Sequence, residues 1–114
     1  MNDEMKVRVF KALSDPTRLH ILEFLACCCC GRAAIQEDGG VEGRTAGEVC
    51  CHITGIDRVT STVSHHLHEL ANADLIRIER RGKTAVCTLV PETMLALAAH
   101  LTGLASGEDQ GACC

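Results

Sequence analysis

The chain has 114 residues, 46% of them hydrophobic and 23% charged, with a formal net charge of −4. That is one domain's length, and the balance excludes both a disordered tail and a multidomain enzyme. With two Phe and no Tyr or Trp, the core must come from Ala, Leu, Ile and Val, which suits helix-on-helix packing and a core shared between two subunits.

The chain opens with MNDEMKVRVFK, acidic before it is basic, and holds no apolar run near 18 residues. A cytosolic protein with no membrane contact is therefore expected. Glu4 to Leu13 reads as a short helix with Met5, Val9 and Leu13 on one stripe. Ser14 and Asp15 before Pro16 start a second helix, because their side-chain oxygens accept from free amides and proline fits the first turn. Leu19, Leu22 and Leu25 carry that helix to about Cys28. Residues 31–44, with four glycines and five charges, read as a flexible loop.

Thr45 and Glu48 form a T-x-x-E capping box and predict a third, short helix carrying Cys50, Cys51 and His52 before Gly55 ends it. A fourth helix is expected from Thr60 to Asn72. At about 100° per residue, Val59, Val63, Leu67 and Leu70 share its inner face, with Ser61, Ser64, His65, His68 and Asn72 opposite. Leu75 to Glu79 and Thr84 to Val90 alternate as strands around a basic turn, Arg80 to Lys83. Pro91 opens a last helix with Met94, Leu97, Ala98, Leu101 and Leu104 on one stripe, and the chain is expected to fray after Ala105.

This order is the layout of a winged helix-turn-helix: mostly α with a β-hairpin wing, in which the fourth helix enters the DNA major groove. The charge distribution agrees, since residues 58–83 carry +2 against −6 for the remainder. Thr60, Ser61, Ser64, His65 and His68 are short or flat groups that can meet base edges and phosphates, and Arg80, Arg81 and Lys83 can neutralise phosphate. His65, His66 and His68 do not converge on one helix face, so they make a poor metal site.

Nine cysteines fall mostly in clusters: Cys27, Cys28, Cys29 and Cys30, then Cys50 with Cys51, and Cys113 with Cys114. Chain neighbours make poor disulfides, so metal binding or redox chemistry is the expectation. Lone Cys87 on a strand reads as a small buried apolar residue. Cys27 and Cys30 form a C-x-x-C, but it ends a helix instead of opening one, where the dipole would not activate a thiol. With no phosphate loop, nucleophile elbow or H-E-x-x-H present, no enzymatic activity is expected.

ALSDPTRLHIL (Ala12 to Leu22), STVSHHLHELANADLI (Ser61 to Ile76) and RRGK (Arg80 to Lys83) together resemble the ArsR/SmtB family of metal-sensing repressors, in the family's order and over most of the chain from Phe10 to Leu101. The resemblance implies a homodimer joined through its first and last helices. It also implies binding to a palindromic double-stranded operator, with release when an inducer binds. By the same resemblance Ser61, Ser64, His65 and Thr60 face DNA, and the hairpin is the wing. Arsenic-type members carry a C-V-C-D-L-C pattern on the third helix, and Cys51 matches one ligand position of it. Zinc-type members place acidic and His ligands on the last helix, where this chain offers only His100.

The candidate ligands are thus Cys27 to Cys30 with Cys50 and Cys51, and secondarily Cys113 and Cys114. Three soft thiolates suit arsenite, the trivalent ion of arsenic, or antimony, with no organic cofactor. A cadmium or lead sensor of the same fold and a thiol redox sensor are the alternatives. The expected organisation is one DNA-binding and dimerisation domain over residues 1–104, followed by a disordered cysteine-containing tail, 105–114.

Overall fold

The structure is a computed structural model, and it describes residues 1–29, 43–56 and 58–107. Among the described residues five helices and a β-hairpin follow the expected order, with one further short strand, β1, before the third helix: α1 (Asp3–Leu13), α2 (Pro16–Cys29), β1 (Arg44–Thr45), α3 (Ala46–Thr54), α4 (Ser61–Asn72), β2 (Ile76–Arg81), β3 (Thr84–Leu89) and α5 (Pro91–Ser106). This is the winged helix-turn-helix architecture.

Local chemistry sets most of the boundaries. The Asn2 side chain accepts from the Met5 amide and caps α1. Asp15 accepts from the amides of Thr17 and Arg18 and caps α2. At α3 both halves of the capping box form: Thr45 Oγ1 accepts from the Glu48 amide at 3.0 Å, and Glu48 Oε1 accepts from the Thr45 amide at 3.2 Å. Thr60 does the same for α4, accepting from the Val63 amide. Gly55 ends α3 in the left-handed region at φ +78°, as a C-terminal glycine does.

Helix α2 lies at the centre, packed on α1, α3, α4 and β3. Its inward residues are Ile21, Leu22 and Leu25, and Leu19 is 43% exposed, which corrects the expected Leu19, Leu22, Leu25 stripe. A three-residue step falls about 60° short of a full turn, so Leu19 sits about 120° from Leu25, off the core-facing arc. The remaining core comes from Val9 and Ala12 of α1, Val49 and Cys50 of α3, and Val63, Leu67 and Leu70 of α4, closed by Leu75, Ile76 and Cys87. Val59 was expected with them, but α4 begins only at Ser61, so helical periodicity does not apply to Val59, and it is exposed.

The sheet has the order β1-β3-β2. Strand β1 is two residues long and pairs Arg44 with Cys87 and Thr45 with Val86. This corrects the assignment of Arg44 to a loop; a two-residue strand has no periodicity to betray it. Arg80 and Arg81 belong to β2, opposite Ala85 and Thr84, and not to the turn. The turn is Gly82 and Lys83 alone, with Gly82 at φ +65°, as a two-residue hairpin connection favours.

Helix α5 buries Leu97 and packs Met94 against the core. The other large residues of its expected stripe, Leu101 and Leu104, are exposed, as are Leu95 and, on α1, Val7 and Phe10. The helix continues to Ser106, past the expected start of the tail; residues 108–114, with Cys113 and Cys114, lie outside the described residues.

Candidate nucleic-acid interface

Helix α4 turns Val63, Leu67 and Leu70 into the core. Ser61, His65 and His68 are left exposed and Ser64 half-buried, so the polar face foreseen for this helix exists. Between it and the hairpin lies an open cleft of about 800 Å³. Ser64 and His68 line it from α4, Arg80 and Lys83 from the hairpin, and Arg58 from the turn before α4. The floor is apolar, formed by Leu67, Ala71, Ile78 and Ala85, and the start of α3, Thr45 to Gly47, closes one end. A cationic rim over an apolar floor suits a phosphate backbone, because charge is offered where the anion arrives and, among the described residues, no carboxylate lines the cleft to repel it.

Four expected contact residues, Ser64, His68, Arg80 and Lys83, therefore meet around one cleft. Ser61 and His65 face outward on the same helix without lining it. Arg81, at the end of β2, pairs with Glu79 at 3.8 Å. The Thr60 hydroxyl caps α4 by accepting from the Val63 amide. Arg58 joins those four at the cleft from the turn before α4, a position that local charge alone does not reveal.

The cysteines separate by environment. Cys50 is fully buried, with its sulfur 3.6 Å from Thr54 Oγ1 and 4.0 Å from Thr60 Oγ1. Burial works against its thiolate, but hydrogen bonding with the Thr54 hydroxyl and with the amide and hydroxyl of Thr60 outweighs it and holds the thiol below its ordinary value. Cys51 is exposed. Cys87 is fully buried, as its isolated position in a strand suggested, and burial pushes its thiol up to about 11. Cys27, Cys28 and Cys29 end α2; their side chains, and all of Cys30, lie outside the described residues. Among the described residues no three His, Cys, Asp or Glu side chains come together as a metal site.

The polar helix face, the cationic cleft and the hairpin define a winged helix-turn-helix protein built for nucleic acid. The chain is 33% identical over 79 residues to an uncharacterized HTH-type transcriptional regulator of Methanocaldococcus jannaschii, spanning 69% of this chain and 71% of that protein. Its fold is similar to that of an ArsR family transcriptional regulator of known structure (TM-score 0.71, 22% identity, 98% of each chain). An ArsR-like transcriptional regulator from Rhodococcus sp. RHA1 is also similar (TM-score 0.67, 21% identity, 94% of this chain and 85% of that one), as is Rv0081 of M. tuberculosis (TM-score 0.57, 24% identity, 96% and 95%). No family model matches the chain. The chain belongs to the HTH-type transcriptional regulators, with the fold of the ArsR family. Among the described residues no helix is long and apolar enough to cross a membrane.

Proposed function

We propose that the chain is a homodimeric repressor that binds double-stranded operator DNA through α4 and the hairpin and leaves it when cysteine thiolates capture a thiophilic ion, trivalent arsenic or antimony first among them. The observation that carries the DNA reading is the cleft in which Arg58, Arg80 and Lys83 surround Ser64 and His68. Dimerisation is supported by the apolar side chains that α1 and α5 leave exposed, Val7, Phe10, Leu95, Leu101 and Leu104, since patches of that kind mark protein contacts. A twofold dimer would present two copies of α4 to half-sites about 34 Å apart.

Two contacts support the sensing step. Phe24 of α2 stacks on His52 of α3 with ring centroids 4.1 Å apart, which joins the helix ending in Cys27, Cys28 and Cys29 to the helix carrying Cys51. Cys50 in turn touches Thr60, the residue that caps α4. A force applied to α3 by an ion held between Cys51 and the end of α2 therefore reaches the first turn of the DNA-reading helix. Arsenite or antimonite needs only three thiolates in a pyramid, so Cys51 with two from Cys27 to Cys30 would suffice. Coupling of this kind is reciprocal, so DNA should weaken ion affinity by the factor by which the ion weakens DNA affinity.

The test adds arsenite, under reductant, to the complex of the full chain with a duplex recovered from a randomised library. Release of the duplex, lost when Cys51 or the Cys27 to Cys30 run is changed to Ser, is the expected result. Stoichiometric arsenite binding with unchanged duplex affinity overturns the sensing step. Release by peroxide and not by arsenite would point to the redox reading, and release by cadmium or lead alone to the other metals. Leu101→Glu should convert a dimer to a monomer in sedimentation velocity.

A further inference from the structure

Arg18 lies in the first turn of α2, and its guanidinium reaches two other helices. Nε donates to the Ala12 carbonyl at 2.8 Å and Nη2 to the Lys11 carbonyl at 3.4 Å. Both carbonyls belong to the last turn of α1, and that of Lys11 also accepts from the amide and hydroxyl of Ser14. Nη1 lies 3.2 Å from Nδ1 of His66, a half-buried residue of α4 next in sequence to Ser64 and His65. One rigid, planar cation thus ties the end of α1 to the inward side of the DNA-reading helix.

We infer that Arg18 and His66 are positioning residues for DNA recognition: the guanidinium, anchored on α1, sets the rotation of α4 about its axis and so aims Ser61, Ser64, His65 and His68. The inference rests on reading α4 as the helix that meets DNA. Arginine has no acceptor and keeps its charge, so His66 must offer the lone pair of Nδ1. A proton at Nδ1 removes that acceptor and sets two cations against each other. The charged and titratable groups around the imidazole are Arg18 itself, the Asp15 carboxylate at the start of α2, and His65, whose ring centroid is 6.0 Å away; from α1, the groups facing Arg18 are the Lys11 and Ala12 carbonyls.

The test uses the full chain, a duplex of about 30 base pairs, room for two half-sites, selected by the wild-type chain from a random library, and a mixed-sequence duplex as reference. His66→Leu keeps the bulk and removes the acceptor. It should weaken the selected duplex about tenfold and leave the mixed-sequence duplex, held by charge, within about twofold. His66→Asn places an amide oxygen near the position of Nδ1 and should retain wild-type affinity. His66→Gln, whose amide lies near the position of Nε2 instead, should weaken the selected duplex as His66→Leu does. This comparison keeps the proposal testable even if His66→Leu melts early. Unchanged affinity of a folded His66→Leu or His66→Gln for the selected duplex overturns the positioning role while leaving DNA binding intact. A wild-type chain that selects no sequence defeats the DNA reading, and the positioning role with it.

Discussion

Lys83 offers the most direct measure of whether the cleft holds a phosphate backbone. It occupies the second position of the hairpin turn, exposed on the cleft rim, while Gly82 supplies the positive φ. Lys83→Ala therefore removes one cation without disturbing the turn, which the bond from Thr84 Oγ1 to the Arg81 carbonyl at 2.9 Å also holds. Each lost phosphate contact should flatten the slope of log affinity against log salt by about 0.9, hence about 1.8 for a dimer. At 0.15 M monovalent salt the same relation gives about fivefold weaker binding per contact, and about thirtyfold for two. Anisotropy titrations of a selected duplex between about 50 and 200 mM salt read both quantities. Lys83→Arg should keep the wild-type slope. A Lys83→Ala slope equal to the wild type's would show that this residue touches no phosphate, and the cleft would then lose its assignment as the backbone seat.

Glu79→Gln should tighten DNA binding at low salt, because it removes the carboxylate that pairs with Arg81 on the hairpin. Gly43→Ala should lower the melting temperature and expose the β1 edge to hydrogen exchange. A Cβ there would lie 2.5 Å from the Cys87 carbonyl oxygen and 2.6 Å from Thr88 Oγ1, a backbone clash costing about 1–3 kcal/mol. With a thiol-alkylating reagent and mass spectrometry, exposed Cys51 should react before the other described cysteines, whereas Cys87, buried and raised to about 11, should react only on unfolding. Stability should fall in acid below about pH 4. For Glu48, burial raises the carboxyl, but hydrogen bonds from the Thr45 amide, Arg44 and the Thr45 hydroxyl hold it below the usual range. A group lowered in the folded state stabilises fully above its unfolded value and loses that contribution as the pH falls through its folded one. Urea titrations should accordingly show less acid sensitivity in Glu48→Gln.

Much of the fold was legible because its signals are local. Asp15, Thr45 and Thr60 satisfy amides two or three residues away, so helix starts could be read from adjacent letters, and Gly82 marks the hairpin for the same reason. The polar face of α4 followed from its periodicity. Its polar side chains were legible as a set, but not the cleft that gathers Ser64, His68, Arg80 and Lys83 with Arg58.

What the amino-acid order determined by itself was the succession of elements and the side of α4 that stays polar, since both depend on bonds spanning a turn or two. Only the tertiary structure decided which neighbour is inside. It turned Leu19 out and Ile21 in, and buried Cys50 against Thr60 while exposing Cys51. It paired Arg44 with Cys87 through a strand too short to announce itself, and brought Arg18 to His66 across 48 positions of chain. Those choices depend on what each element packs against, and packing partners are supplied by distant segments that no local pattern encodes.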